Sequence, residues 1–349
     1  MLPEHYFSDD HEVATEVSTF TWYDSRLKGV ERTGRSEWRF YYHDDFLAQA
    51  GPGDELSLVR TKDETIHALV FNEGSARLRA ARLLFGVTTA TDQIQLIPDD
   101  AISKQDLELV RRQIIDELEL DIQLPVAGDD MDLVVGRFGE QFPKTMVMSA
   151  FAREQVRIDG FGPDETLVAW LDREEQLFRA LEKVVVGKRI KQGFEDVDDF
   201  MAYSLSAQQR RKSRMGHALE NHLFEMFTKQ GLRFAAQPRT EGRNKPDFVF
   251  PGAIEYHNPS FDATMLVMLG AKSSAKDRWK QILTEAYRIE HKHLCTLEAG
   301  ISEHQTELMT KEKVTLVVPM GLHPTYTAKQ RKMLLDVQGF IDLVRTKQN

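Results

Sequence analysis

The stretch Met265–Gln281, MLVMLGAKSSAKDRWKQ, decides how the second half of this chain is read. It opens on an unbroken apolar run, the mark of a strand buried on both faces. The run ends at Lys272, and Lys276, Asp277, Arg278 and Lys280 follow directly. Beyond them Trp279, Ile282, Leu283, Ala286 and Ile289 recur at helical spacing, so DRWKQILTEAYRIEHK reads as a helix. A strand hands over to a helix through a cluster of cations and one acid. Structural helix starts favour acids in their first turn, where the helix dipole is positive. The Lys276-Asp277-Arg278 triplet therefore reads as a solvated charged turn or as a site.

Working outward, the neighbouring segments complete an α/β pattern. LRFAAQPRT, KPDFVFP (245–251), HLCTL and VTLVVP (314–319) read as strands, and KMLLDVQGFIDLVRTK as a closing helix. Before them come helical patterns from Pro163, over 197–209, and over 215–231 after the basic knot Arg210-Arg211-Lys212-Ser213-Arg214. Residues 1–160 differ. EWRFYY (37–42), ELSLVR (55–60), TIHALVF (65–71) and DLVVGRF (132–138) read as strands, with helices over 73–86 and 103–120. The expected organisation is a mostly β domain over 1–160 and an α/β domain over 161–349, a mixed sheet flanked by helices.

Charge separates the halves as well. The chain of 349 residues carries a formal net charge of −10, an unpromising sum for a nucleic-acid partner. Residues 201–349 nevertheless hold 22 Lys and Arg against 15 Asp and Glu, a net of +7, which leaves −17 on residues 1–200. The basic half is the one suited to phosphates. Hydrophobic residues make up 41% of the chain, enough for globular cores, and no apolar run reaches the length of a membrane span. Cys295 is the single cysteine, which excludes internal disulfides and a multi-cysteine zinc cage. With no secretory signal pattern at the N-terminus, a bacterial-type cytoplasm is the expected compartment.

The residue types that carry chemistry are Asp247, Lys272 and Glu285. Asp247 opens a strand after Pro246, and Lys272 ends the next apolar strand. Adjacent strands bring the two to one sheet edge. Glu285 lies seven residues past Arg278, two turns along the expected helix and on its face. Two carboxylates and a lysine at one edge suit metal-dependent phosphodiester hydrolysis, because Mg2+ takes oxygen ligands and keeps several waters. The same set also reads as a surface acid, an extended lysine and a helix-rim acid. The Lys276-Asp277-Arg278 triplet adds weight to the first reading. Arginine pairs with guanine O6 and N7, and a carboxylate accepts from cytosine N4.

With these residues in view, the segment from about 163 to 345 resembles the catalytic domain of the EcoRII-type restriction endonucleases, within the enzymes that cut CCGG, CCNGG or CCWGG cores. The strings RRKSRMGHALENHL, TEGRNKPDFVFP, AKSSAKDRWKQILTEA, KHLCTLEAGIS and LVVP carry the resemblance in the family's order. It implies a PD-(D/E)xK fold whose acid has moved from the strand to the following helix. The implied metal ligands are Asp247 and Glu285, the catalytic lysine is Lys272, and Glu220 and Tyr256 are supporting positions. Lys276, Asp277 and Arg278 would read the CC:GG pairs, and Arg211, Lys212 and Arg214 would touch phosphate. SRLKGVERTGRSEWRFYYHDDF (25–46) loosely resembles the family's effector-binding domain, a DNA-binding pseudobarrel. An alternative role for residues 1–160 is contact with bases flanking the core.

The expected protein is thus a homodimeric, Mg2+-dependent type II restriction endonuclease acting on double-stranded DNA. The alternatives are a DNA-binding regulator on an inactive nuclease fold and a structure-specific repair nuclease. His291, His293 and Cys295 in HKHLCTL alternate on a strand expected to be buried, which favours core positions over zinc. Gly187-Lys188 lacks the earlier glycine of a phosphate loop, so no ATP is implied.

Overall fold

The computed structural model describes residues 2–7, 14–25, 38–42, 49–60, 64–87, 128–242, 244–275 and 278–349. It divides into two compact units, one within Met1–Ile102 and one reaching from Asp121 to Asn349. The helix expected over 103–120 lies outside the described residues.

The first unit is strand-rich, as its β-branched and aromatic runs imply. Its strands are β1 (Leu2–Phe7), β2 (Ala14–Ser18), β3 (Phe20–Asp24), β4 (Trp38–Tyr42), β5 (Glu55–Arg60) and β6 (Ile66–Phe71). They form a sheet in the order β2-β1-β6-β5 and an antiparallel pair, β3-β4. β5 alternates between half-buried and exposed, whereas Ala68–Phe71 of the central β6 are all buried. Phe7 and Phe71 face each other across the parallel β1–β6 pairing and stack at 4.7 Å. Helix α1 (Ala76–Phe85) starts where Ser75 accepts from the Leu78 N–H and stops at Gly86, whose φ of +70° suits glycine.

The second unit begins with α2 (Gly128–Phe138) and α3 (Thr145–Glu154), followed by the long helices α4 (Pro163–Gln192) and α5 (Val197–Lys229). Three sequence expectations change here. DLVVGRF belongs to α2, not to a strand. Its β-branched residues serve a helix because Val134 alone of them turns fully inward, onto Met148 and Phe151 of α3 and Leu177 and Leu181 of α4. The boundary expected at 160 moves as well, since α2 and α3 share that core with α4 and belong to the second unit. Finally, 197–209 and 215–231 are one helix. No proline interrupts 210–214, and Arg211 and Arg214 are fixed by acids of α4 (Glu182 and Glu175, respectively) instead of repelling one another into a loop.

The sheet of this unit has the order β11-β10-β9-β8-β7. β7 (Ala235–Ala236) and β8 (Phe248–Phe250) lead into α6 (Ala253–His257), then β9 (Val267–Lys272), β10 (Lys292–Thr296), α7 (Glu303–Lys311), β11 (Val314–Val317) and α8 (Val337–Gln348). β9, β10 and β11 run parallel, while β8 is antiparallel to β9 and β7 to β8. Phe227 of α5 meets Phe248 and Phe250 of β8 and Phe340 of α8 at 5.2, 5.3 and 6.0 Å between ring centroids, which seats both helices on one face.

After β9 the expected long helix is absent. A single 3-10 segment, Trp279–Thr284, is followed by extended backbone at Glu285 and a left-handed Ala286 at φ +49°. Trp279, Ile282, Ala286 and Ile289 are still buried, so the apolar spacing is satisfied without a helix. Gly270 makes this close approach possible. A Cβ there would stand 2.8 Å from Ile282 Cγ2 and 3.4 Å from Leu294 Cδ1. Among the described residues, no helix is long and apolar enough to cross a membrane.

Candidate active site at the ends of two strands

Antiparallel pairing of Phe248 with Leu269 sets the start of β8 beside the end of β9. Asp247 and Lys272 meet there. Asp247 is 8% exposed, and its Oδ2 accepts from Lys272 Nζ at 2.8 Å and from the Ala271 N–H at 2.7 Å. Glu220 approaches from α5, where its Oε2 accepts from Gln237 Nε2 at 3.0 Å. Burial, then the Asp247 charge, holds Glu220 above the usual carboxylate range. Glu285 comes from the turn after the 3-10 segment. Burial, with Asp247 close by, pushes its carboxyl up to about 7, against the opposing pull of Lys272 and Lys292.

Three acids and a lysine therefore share one field, as the Asp247 charge acts on both glutamates. Two glutamates raised beside a third acid mark a place where added positive charge is stabilising. Glu285 Oε2 is buried and has no hydrogen-bond partner among the described residues. Among the described residues, no three or more His, Cys, Asp and Glu gather as a closed metal cage. The donor set is instead two carboxylates with one unsatisfied oxygen, which fits a hard divalent cation that keeps most of its water.

Residues 178–341 match the family model described as EcoRII C terminal. A curated relative, the type II restriction enzyme EcoRII of Escherichia coli, is 41% identical over 202 residues, which is 58% of this chain and 50% of the relative. The chain thus spans about half the length of that relative. Among solved structures, metal-depleted Ecl18kI in complex with uncleaved, modified DNA is similar at a TM-score of 0.48 and 19% identity, covering 64% of this chain and 84% of that one. The restriction endonuclease PspGI–substrate DNA complex is similar at 0.46 and 14%, covering 64% and 93%.

Within the segment that matches this family model the remaining expected positions separate. Tyr256 is buried, and its hydroxyl donates to Glu241, not to Asp247, Lys272 or Glu285. Burial and the Glu241 bond raise its pKa, so it stays protonated. The link to the site is indirect, since Glu241 also accepts from the Tyr287 N–H, two residues beyond Glu285. Arg278 is exposed at the start of the 3-10 segment, and the shared helix face expected for Arg278 and Glu285 does not exist. Lys276 and Asp277 lie outside the described residues.

The basic knot on α5 is also divided. Lys212 is exposed, while Arg211 is tied to Glu182. Arg214 is 5% exposed and paired with Glu175, with Glu174 3.8 Å away. It belongs to a buried polar layer, with His222 Nε2 2.9 Å from Glu174 and His222 Nδ1 3.2 Å from Arg153. Arg214 is therefore a core ion-pair member and not a surface phosphate ligand.

His293 and Cys295 are buried on β10, and burial lowers the imidazole pKa to about 4 and raises the thiol. Both are core residues. Sequence reasoning passed over Lys292 directly before them, although a lysine inside a buried strand signals a need for partners. It also passed over Glu241.

Proposed function

We propose that this chain is a type II restriction endonuclease. It hydrolyses phosphodiester bonds of double-stranded DNA at a palindromic site with CC…GG half-sites, requires Mg2+, and acts as a homodimer in the cytoplasm. The observation that carries this reading is the Asp247–Lys272 clasp beside the unsatisfied Glu285 oxygen, inside the EcoRII C-terminal segment.

Asp247 and Glu285 would hold the metal. Mg2+ held there would supply positive charge to the phosphoryl transition state and would ease deprotonation of the attacking water. Lys272 offsets phosphate charge and orients the attacking water through an ammonium already fixed by Asp247. Glu220 stands behind Asp247 and, with its raised pKa, is suited to hold a proton through a hydrogen-bonded network. Arg278, with Lys276 and Asp277, reads the C·G pairs from the major groove. Lys212 contacts phosphate, and Arg211 contributes where Glu182 leaves its guanidinium half exposed.

One active site cuts one strand, so a palindrome is cleaved by two copies related by a twofold axis. Residues within the first unit are proposed to contact bases flanking the core. Incubating the protein with Mg2+ and a plasmid carrying CC…GG sites, then sequencing the ends, tests the whole reading. Ends clustered at such sites support it. Intact plasmid with retained specific binding supports the regulator instead, and cuts tracking junctions or mismatches support a repair nuclease.

A further inference from the structure

We propose that Lys292 is a positioning residue for Glu285: its buried ammonium clamps the turn that presents this acid beside Asp247. The inference rests on the active-site reading above. Lys292 starts β10 and is only 6% exposed. Its ammonium donates to the backbone carbonyls of Glu285, Ala286 and Ile289 at 2.5, 3.2 and 3.0 Å. An ammonium has three protons, and here each finds an oxygen of one turn.

The turn needs such a clamp. Glu285 leaves the 3-10 segment in extended conformation, and Ala286 follows at φ +49°, where an alanine is strained. The Ala286 carbonyl also takes the Ile289 N–H at 2.9 Å, and Lys292 adds a donor to it and supplies one to each of the Glu285 and Ile289 carbonyls. Two further groups brace the outer side. Arg288 donates to the carbonyls of Asn258 and Phe261 at 2.9 and 2.8 Å, and Glu241 accepts from Tyr287. Lys292 differs from both in binding the carbonyl of Glu285 itself. Its charge also lies close enough to attract the Glu285 carboxylate. Burying a lysine is costly, and a strand position facing the core is otherwise filled by an apolar residue. The outlay places one acid, which arrives from a turn and not from a strand.

A double-mutant cycle on the full-length chain tests this. Lys292→Met removes the donors and keeps an unbranched stem; Glu285→Gln removes the acid. Mn2+ affinity is measured by calorimetry, cleavage by Mg2+ titration, and duplex binding in EDTA by gel shift. Lys292→Met is expected to weaken Mn2+ binding and raise the Mg2+ requirement by about 10–100-fold, with duplex binding in EDTA unchanged. In the Glu285→Gln background the same change should cost no further Mn2+ affinity. Normal metal affinity in Lys292→Met, or an equal loss on both backgrounds, overturns the proposal. If Lys292→Met does not fold, Lys292→Gln, which keeps two of the three donors and loses the charge, is expected to weaken Mn2+ binding to a smaller extent and only where Glu285 is present, and a loss of the same size on the Glu285→Gln background overturns the proposal. Glu285→Gln with normal cleavage overturns the active-site reading itself. Glu285→Gln inactive beside a normal Lys292→Met sinks only the clamp.

Discussion

Lys272 Nζ donates to Asp247 Oδ2 at 2.8 Å, joining the end of one strand to the beginning of its antiparallel neighbour. The same oxygen takes the Ala271 N–H, so the lysine and its own strand both hold the acid in place. A site preset in this way loses function sharply when one member changes.

Asp247→Asn and Glu285→Gln are each expected to abolish Mg2+-dependent cleavage while leaving specific DNA binding nearly intact, since metal ligands act mainly on the transition state. Single-turnover cleavage and gel shifts on one labelled duplex measure both. Near wild-type cutting by either variant would refute the assignment.

The raised carboxyl of Glu285 predicts a pH effect on stability. Burial and Asp247 lift its pKa from the ordinary glutamate value of 4.5 to about 7. In that window the folded chain keeps a proton that the unfolded chain has lost. The contribution of neutral Glu285 is therefore complete below the window and disappears as pH rises through it. In EDTA, Glu285→Gln should melt higher than the wild type near pH ~8 and alike near pH ~4. Thermal scans across this range check it, and an advantage greatest in acid would contradict it.

Three of the cations expected to meet DNA should behave differently. Arg278→Ala should lose roughly 1–3 kcal/mol per contacted guanine and relax choice at that position. Lys212→Ala should weaken cognate and random duplexes alike and flatten the salt dependence. Arg214→Ala leaves Glu174 and Glu175 buried without their guanidinium and should cost about 3–5 kcal/mol of stability. Urea melts and salt-dependent binding of the three variants separate these cases. A stable Arg214→Ala with a uniform binding defect would return Arg214 to the DNA surface.

Truncation tests where the second unit begins. Val134, Met148 and Phe151 share a core with Leu177 and Leu181, so a chain starting at residue 161 strips one side of α4. A chain starting at residue 126 keeps that core and should unfold cooperatively, whereas the shorter one should aggregate or melt well below it. Equal melting of the two would show that α2 and α3 are dispensable. With the longer truncation, cleavage with unchanged rate but lost flanking preference supports flanking contact by the first unit. Faster single-site cleavage with unchanged preference supports effector control.

Much of this arrangement was legible in the sequence. Asp247 and Lys272 could be paired because a buried apolar run and a proline-framed strand leave little choice of register. Glu285 was found by its order along the chain, but its element was misread. Trp279, Ile282, Ala286 and Ile289 are buried whether the backbone coils or turns, and spacing alone does not distinguish the two. Arg214 and Val134 failed for a related reason. Sequence displays charge and branching but not depth, and depth is set by what α4 brings opposite them.

Ala275 and Trp279 are each held in place by groups of the second unit's core. Glu298 accepts from the Ala275 N–H, and Trp279 is buried after it. Glu285 in turn is fastened to β10, not to β9. On the proposed function, substitutions between these anchors would change the DNA target and leave both acids where they are, so a new address need not blunt the scissors.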